Sequence, residues 1–190
     1  SLTIDENMSS DRNLIYIHNA NSQTMKNLFV RDNQVNKCFD INVDNDYVIE
    51  IENSILSNSS GFSTQGGGTL SISNSVFFGA GFITSCYTNI DSLTLINAGI
   101  MITGNTTTIT NSFVLNNQSH GIYVNGGNAT ITNVVIANNY GSGVHINNGN
   151  DVVITGSLIS RNINNGATTA GIYVNSGDAT VTNSTICNNN

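Results

Sequence analysis

Gly121-Ile122-Tyr123-Val124-Asn125-Gly126-Gly127-Asn128-Ala129-Thr130-Ile131-Thr132-Asn133 returns further along the chain as Gly171-Ile172-Tyr173-Val174-Asn175-Ser176-Gly177-Asp178-Ala179-Thr180-Val181-Thr182-Asn183. Between the two lies a weaker copy, Gly143-Val144-His145-Ile146-Asn147-Asn148-Gly149-Asn150. A period in the low twenties signals a stack of like supersecondary units rather than one globular core.

Breaking the chain before each such phrase gives eight coils, near 14–37, 38–60, 61–80, 81–98, 99–120, 121–142, 143–170 and 171–190. Each opens on an apolar-x-apolar triplet, such as Phe39-Asp40-Ile41, Ile122-Tyr123-Val124 or Val144-His145-Ile146. That alternation has the period of a strand, with the outer residues facing in and the middle one facing out. A second strand follows with its centre inward (Thr108-Ile109-Thr110, Thr130-Ile131-Thr132, Val153-Ile154-Thr155, Thr180-Val181-Thr182), then a third apolar piece such as Phe113-Val114-Leu115 or Val134-Val135-Ile136. Three short strands per coil of about 22 residues, each meeting its copy in the next coil, predict an all-β, single-stranded parallel β-helix. Such crossovers are right-handed in nearly all known cases. Eight coils at strand spacing make a rod roughly 38 Å long.

Between the second and third strands stand Asn27, Asn53, Asn74, Asn97, Asn111, Asn133 and Asn183, with Gly156 as the exception. Asparagine tolerates the left-handed conformation, and stacked amides can hydrogen-bond along a column. The expectation is an asparagine ladder inside a turn, with Asn183 among its inner members and so closed to modification. Six Asn-x-Ser/Thr sequons begin at Asn7, Asn58, Asn105, Asn117, Asn128 and Asn183, as expected by chance in so Asn-rich a chain.

Composition narrows the function classes. The 190 residues hold no Pro or Trp, only 9% are charged, and the net charge is −7. An acidic balance argues against nucleic acid, which needs a basic stripe. No apolar run approaches the ~20 residues of a membrane span. Cys38, Cys86 and Cys187 fall in different coils and form no metal-binding pattern. Two coils separate Cys38 from Cys86, beyond disulfide reach, so free thiols are expected. Residues 1–13, with Asp5, Glu6, Asp11 and Arg12, read as a polar cap on the helix of 14–190. The last coil lacks such a cap, and the chain opens on Ser1. Both features suggest a piece of something longer, or end-to-end stacking on a second subunit.

Gly-Ile-Tyr-Val-Asn followed by Thr-Ile-Thr-Asn and an Asn-Asn turn resembles the parallel β-helix repeat of the pectate-lyase-like superfamily, from about Leu14 onward. That resemblance implies the fold. It leaves function open among polysaccharide lyases and hydrolases, epimerases, phage tailspikes and non-catalytic surface or adhesin modules.

On the first strand the outward grid reads Tyr16, Asp40, Ser63, Ile83, Met101, Tyr123, His145, Tyr173, and the next outward column reads His18, Asn42, Gln65, Ser85, Thr103, Asn125, Asn147, Asn175. Tyr123, His145 and Tyr173 beside Asn125, Asn147 and Asn175 make an aromatic strip edged with amides. Such a strip suits sugars, whose apolar faces stack on rings while hydroxyls meet amides. Outward aromatics also serve ordinary cross-strand packing.

Polysaccharide cleavage needs paired carboxylates, or a base with calcium. The candidate pair is Asp151 and Asp178, at the same point of consecutive coils, although the seventh coil carries an insertion around Asn162–Ala170. Asp40, Asp44 and Asp46 form a faint calcium-loop pattern that lacks the glycine at the sixth place and has Ile51 at the twelfth. A solvated acidic face is the simpler reading, and no cofactor is otherwise expected. Ser119-His120-Gly121 is similar to the His-Gly of polygalacturonases, but their Asp-rich motifs are missing, and His120 reads as a turn residue. Outward Thr108, Thr110, Thr130, Thr132, Thr180 and Thr182, with Ser71 and Ser73, resemble an ice-binding grid, interrupted by Glu50 and Glu52, Ile96 and Val153. The reading that results is a non-catalytic extracellular module of a bacterial or phage surface or tail protein. It presents a sheet face to a polysaccharide, a cell-surface glycan or a protein partner. A polysaccharide lyase or hydrolase and an ice-binding solenoid are the alternatives.

Overall fold

A computed structural model describes residues 2–5, 8–17, 22–31, 34–57, 61–79, 81–163 and 170–190. Asn7, His18, Asn58 and the insertion at 164–169 lie outside the described residues, as do the side chains of Asp11, Arg12, Tyr16 and Cys38. Every element among the described residues is a strand, and every strand pairing is parallel. One sheet has eight strands, one from each coil: Met8–Ile17, Gln34–Val43, Phe62–Gly66, Phe82–Thr84, Ile100–Ile102, Ile122–Val124, Val144–Ile146 and Ile172–Val174. The second and third strands of the coils form two more stacks. Thr69–Phe78 and Tyr87–Ile96 run through the corner unbroken and join these stacks into one 15-stranded sheet. The backbone of Leu2–Asp5 adds a rung to the third stack by pairing with Leu28–Arg31.

The interior follows from the alternation. Phe39, Phe62 and Phe82 occupy one buried column, with successive ring centroids 4.9 and 5.0 Å apart. Ile100, Ile122 and Val144 continue it. Ile51, Ile72, Ile90, Ile109, Ile131 and Ile154 fill the column beneath the second stack. Each fully buried side chain of this size contributes on the order of 2 kcal/mol. In the final coil Val174, Val181 and Ile186 are exposed, and no described strand packs on that face.

The corners explain how so much backbone is buried. At the turn between second and third strands, Asn27, Asn53, Asn74, Ser92, Asn111, Asn133, Gly156 and Asn183 all have φ between 49 and 59°. This column lies on the outside of the rod, not within it. Asn111, Asn133 and Asn183 are exposed, which corrects the expected inner position of Asn183. In the fourth coil the turn residue is Ser92, not Asn97, so the second strand there ends at Asp91 and the third runs from Leu93.

A left-handed residue reverses the local direction, so its successor points inward. Ser54, Ser75, Ser112 and Ser157 are buried in this way. Each hydroxyl donates to the carbonyl two residues back, as Ser157 does to Thr155, and accepts a backbone N–H from the preceding coil, as Ser157 does from Val134. Corner amides that the ladders miss are thereby satisfied.

The buried asparagine ladder is at the other corner. Asn116, Asn138, Arg161 and Asn188 are left-handed there, and Asn117, Asn139, Asn162 and Asn189 follow them inward. The Asn139 side chain accepts the Asn117 N–H (2.9 Å), while its amide donates to Asn162 Oδ1 (2.8 Å) and to the Val114 carbonyl. Asn162 repeats the pattern with Asn189 and the Ile136 carbonyl. In an Asn-Asn doublet, the first residue makes the turn and the second builds the ladder.

Candidate functional site

The eight-stranded sheet has the register that the repeat predicts. Met101 pairs with Tyr123, Tyr123 with His145, and His145 with Tyr173. The Tyr123–His145 and His145–Tyr173 centroids are 4.9 and 4.8 Å apart, close to the rise of one rung. Beside them the amides of Asn125, Asn147 and Asn175 form an outer ladder. Asn147 Nδ2 donates to Asn125 Oδ1 (2.8 Å), and Asn175 Nδ2 donates to Asn147 Oδ1 (2.9 Å). A primary amide carries two N–H donors, so the ladder leaves one on Asn147 and one on Asn175 for other partners.

His120 joins this strip from the preceding turn. Its ring lies 4.4 Å from His145, edge to face, and 5.7 Å from Tyr123. The Ser142 backbone N–H donates to His120 Nδ1 (3.0 Å), which keeps that nitrogen unprotonated. The His120 proton therefore sits on Nε2, which donates to His145 Nδ1 at 3.0 Å. This in turn leaves the His145 proton on Nε2, a buried atom with no hydrogen-bond partner among the described residues. The tyrosine rings on the neighbouring rungs pack on either side of the His145 ring. Burial lowers the pKa of His120 from its ordinary 6.5, and burial and then the nearby His120 lower that of His145. The network thus needs two neutral imidazoles.

Sequence reasoning placed His120 in a turn and missed its role. Aligning the residue before each coil-opening glycine gives Ser60, Ala80, Ala98, His120, Ser142 and Ala170, in which His120 is the only large side chain. That comparison was the available signal.

Residues 81–190, more than half of the chain, match the family model of the right-handed β-helix region. The chain belongs to the right-handed β-helix family. Comparison with curated proteins and with solved structures gave no match.

Within this β-helix the other candidates sit apart from the strip. Asp151 and Asp178 pair in register on the second stack, both exposed, and neither lines either groove described below. Asp40 is an outward residue of the eight-stranded sheet, and Asp46 is a left-handed turn residue (φ 70°). Among the described residues no three His, Cys, Asp or Glu side chains come together as a metal site, so Asp40, Asp44 and Asp46 do not converge. Cys86 is buried and free, and Cys187 is also free. Among the described residues no helix is long and apolar enough to cross a membrane.

The hydroxyl face has a different register from the one expected. Thr108 pairs with Asn89 and Thr110 with Asp91, so these two, and not Ile96, occupy the fourth rung. Asp91 accepts from Thr110 (2.6 Å), Asn111 (2.8 Å) and Ser92 (3.1 Å), which holds its carboxyl below the usual range. The Asn133 amide donates in turn to Asn111. On this face the Thr110 hydroxyl is thus tied to a carboxylate, and the hydroxyl grid is interrupted at Val153, which is 37% exposed.

Two grooves flank the aromatic strip and the Asn-Asn corner. The first, about 320 Å³, runs over Gly81, Ile83, Gly99 and Met101 and ends at His120 and Tyr123. It is largely apolar because Phe82, Ile83, Ile100 and Met101 line it. The second, about 420 Å³, lies along the corner and is lined by Asn116, Asn138, Arg161, Gln118, Tyr140 and Ile163 among others.

Proposed function

We propose that the outward face of the eight-stranded sheet binds carbohydrate without cleaving it. The observation that carries this reading is the strip Tyr123–His145–Tyr173, spaced at one rung per ring beside the hydrogen-bonded amides of Asn125, Asn147 and Asn175. Rings in this array present flat apolar area, and the amides present donors and acceptors at the same repeat. Together they suit successive units of a neutral polysaccharide. No Lys, Arg, Asp or Glu belongs to the strip, which favours hydroxyl-rich over charged ligands at this face. This reading puts the module outside the cell, within a bacterial or phage surface protein, where polysaccharide is within reach.

The test is to offer the protein a panel of bacterial and plant polysaccharides and to measure retention and new reducing ends together. Retention without new ends is the expected result. Tyr123→Ala and Tyr173→Ala should each weaken it by about tenfold or more, with unchanged thermal stability. Release of reducing ends would overturn the non-catalytic reading. Retention that survives both substitutions would overturn the site.

A further inference from the structure

We propose that the groove between Tyr140, Arg161 and Ile163 is a second binding site, and that it takes an acidic sugar. Arg161 carries the argument. Among the described residues fourteen non-glycine residues have positive φ, and eleven of them are Asn. The others are Asp46, Ser92 and Arg161, so Arg161 is the only one with a long side chain. A non-glycine, non-asparagine residue in this conformation is strained, and the coils before and after place Asn138 and Asn188 there. Strain retained at one position of a repeat marks a site where the side chain is needed for something other than folding.

The surroundings say what that is. Arg161 is the only Lys or Arg after Lys37. Among the described residues the one ion pair is Lys26–Glu52, far along the rod, and no described carboxylate pairs with the Arg161 guanidinium. No Asp or Glu lines the groove. The Ile163 N–H bonds to the Asn139 carbonyl, and the Tyr140 N–H to the Asn117 carbonyl, which sets Tyr140 and Ile163 on consecutive rungs. Tyr140 is 52% and Ile163 47% exposed, so part of a ring and of an aliphatic side chain faces solvent in the groove that Arg161 also lines. Gln118 and the exposed Asn116 and Asn138 add amides. A planar guanidinium matches a carboxylate or sulfate through paired hydrogen bonds. The ring and Ile163 match the apolar face of a pyranose, and the amides match its hydroxyls. This site is separate from the aromatic strip and does not depend on it.

Binding of the intact chain to polygalacturonate, dextran sulfate and unmodified dextran is measured at low and high salt. Wild type should bind an acidic polymer, lose it as salt rises, and leave dextran free at this groove. Whether polygalacturonate or dextran sulfate binds identifies the anion as carboxylate or sulfate. Arg161→Asn restores the residue that the corner favours, so Tm should rise while affinity for the acidic polymer falls about 10- to 100-fold. Tyr140→Ala should also weaken that affinity, and Tyr173→Ala should leave it unchanged. The proposal is overturned if neither acidic polymer binds, if Arg161→Asn binds as wild type does, or if Tyr173→Ala loses the acidic polymer too. A fall in Tm for Arg161→Asn would remove the strain on which it rests.

Discussion

His120 Nε2 and His145 Nδ1 lie 3.0 Å apart, although the two residues are 25 positions apart in the chain. The chain of bonds from Ser142 through His120 to His145 exists only while both rings are neutral. A proton on His120 Nδ1 would displace the Ser142 N–H, and one on His145 Nδ1 would remove the acceptor of His120. Both folded pKa values lie below the 6.5 of an unperturbed imidazole. The unfolded chain therefore binds protons first, and the contribution of the pair is complete above about pH 6.5 and lost as pH falls toward the folded values. Thermal unfolding between pH 7.5 and 5 should show Tm falling with pH. His120→Ala should flatten that slope, since it removes one titrating ring and frees the other. Asp91 has a depressed carboxyl pKa and so acts in a separate window, below the ordinary 3.8. An equal slope in wild type and His120→Ala would show that the pair does not couple to stability.

The two asparagine columns should respond differently to substitution. Asn139→Ala strands the Asn117 N–H and the Val114 carbonyl inside the rod. Its cost should be about 2–4 kcal/mol in denaturant unfolding. Asn133 is exposed and serves mainly to hold φ at 55°. Asn133→Gly should therefore lie within about 0.5 kcal/mol of wild type, since glycine meets the same backbone demand. Equal costs at the two positions would contradict the assignment of the buried ladder to the second residue of each doublet.

Two glycines at the same repeat position make a matched pair. A Cβ on Gly121 would sit 2.6 Å from Ile136 Cγ2 and 2.8 Å from the Gly143 carbonyl oxygen. Gly121→Ala should thus cost about 1–3 kcal/mol through overpacking. At Gly81 nothing lies within 4 Å of a Cβ. Gly81→Ala should be neutral or stabilising by up to about 1 kcal/mol, because it only restricts the unfolded chain. Circular dichroism melts of the two variants decide the matter.

The solenoid was legible because apolar-x-apolar triplets recur on a constant spacing, and a period-2 pattern fixes which face is inward. The grid from Asp40 to Tyr173 has the register read from the letters alone. The fourth coil was misread for a local reason. Ser92 makes the turn there, and the nearest asparagine, Asn97, belongs to the next corner. Inside and outside at the corners were also not legible from composition, since both asparagines of a doublet are compatible with either role. Only the left-handed φ of the first residue turns the second inward. His120 escaped notice because its partner is spatial, one rung away, and no local pattern announces a contact between a turn and a neighbouring strand. Arg161 reads in the sequence as an isolated charge, and only its φ of 54° shows that it stands where asparagine is the rule.

Asn117, Asn139 and Asn162 of the buried asparagine ladder are each completed from downstream. The Asn117 N–H waits for the Oδ1 of Asn139, 22 residues later, and the Asn139 N–H waits for Asn162, 23 residues later. The serine corners have the same polarity, with Leu28 served by Ser54 and Val134 by Ser157. On a ribosome each nascent coil therefore emerges with corner amides that only its successor can satisfy. At roughly 5–20 residues per second, that interval is about one to five seconds per coil. Synthesis from the N-terminus thus proceeds with a travelling frontier, one coil deep, in which the newest rung is hydrated and the rung behind it has just closed.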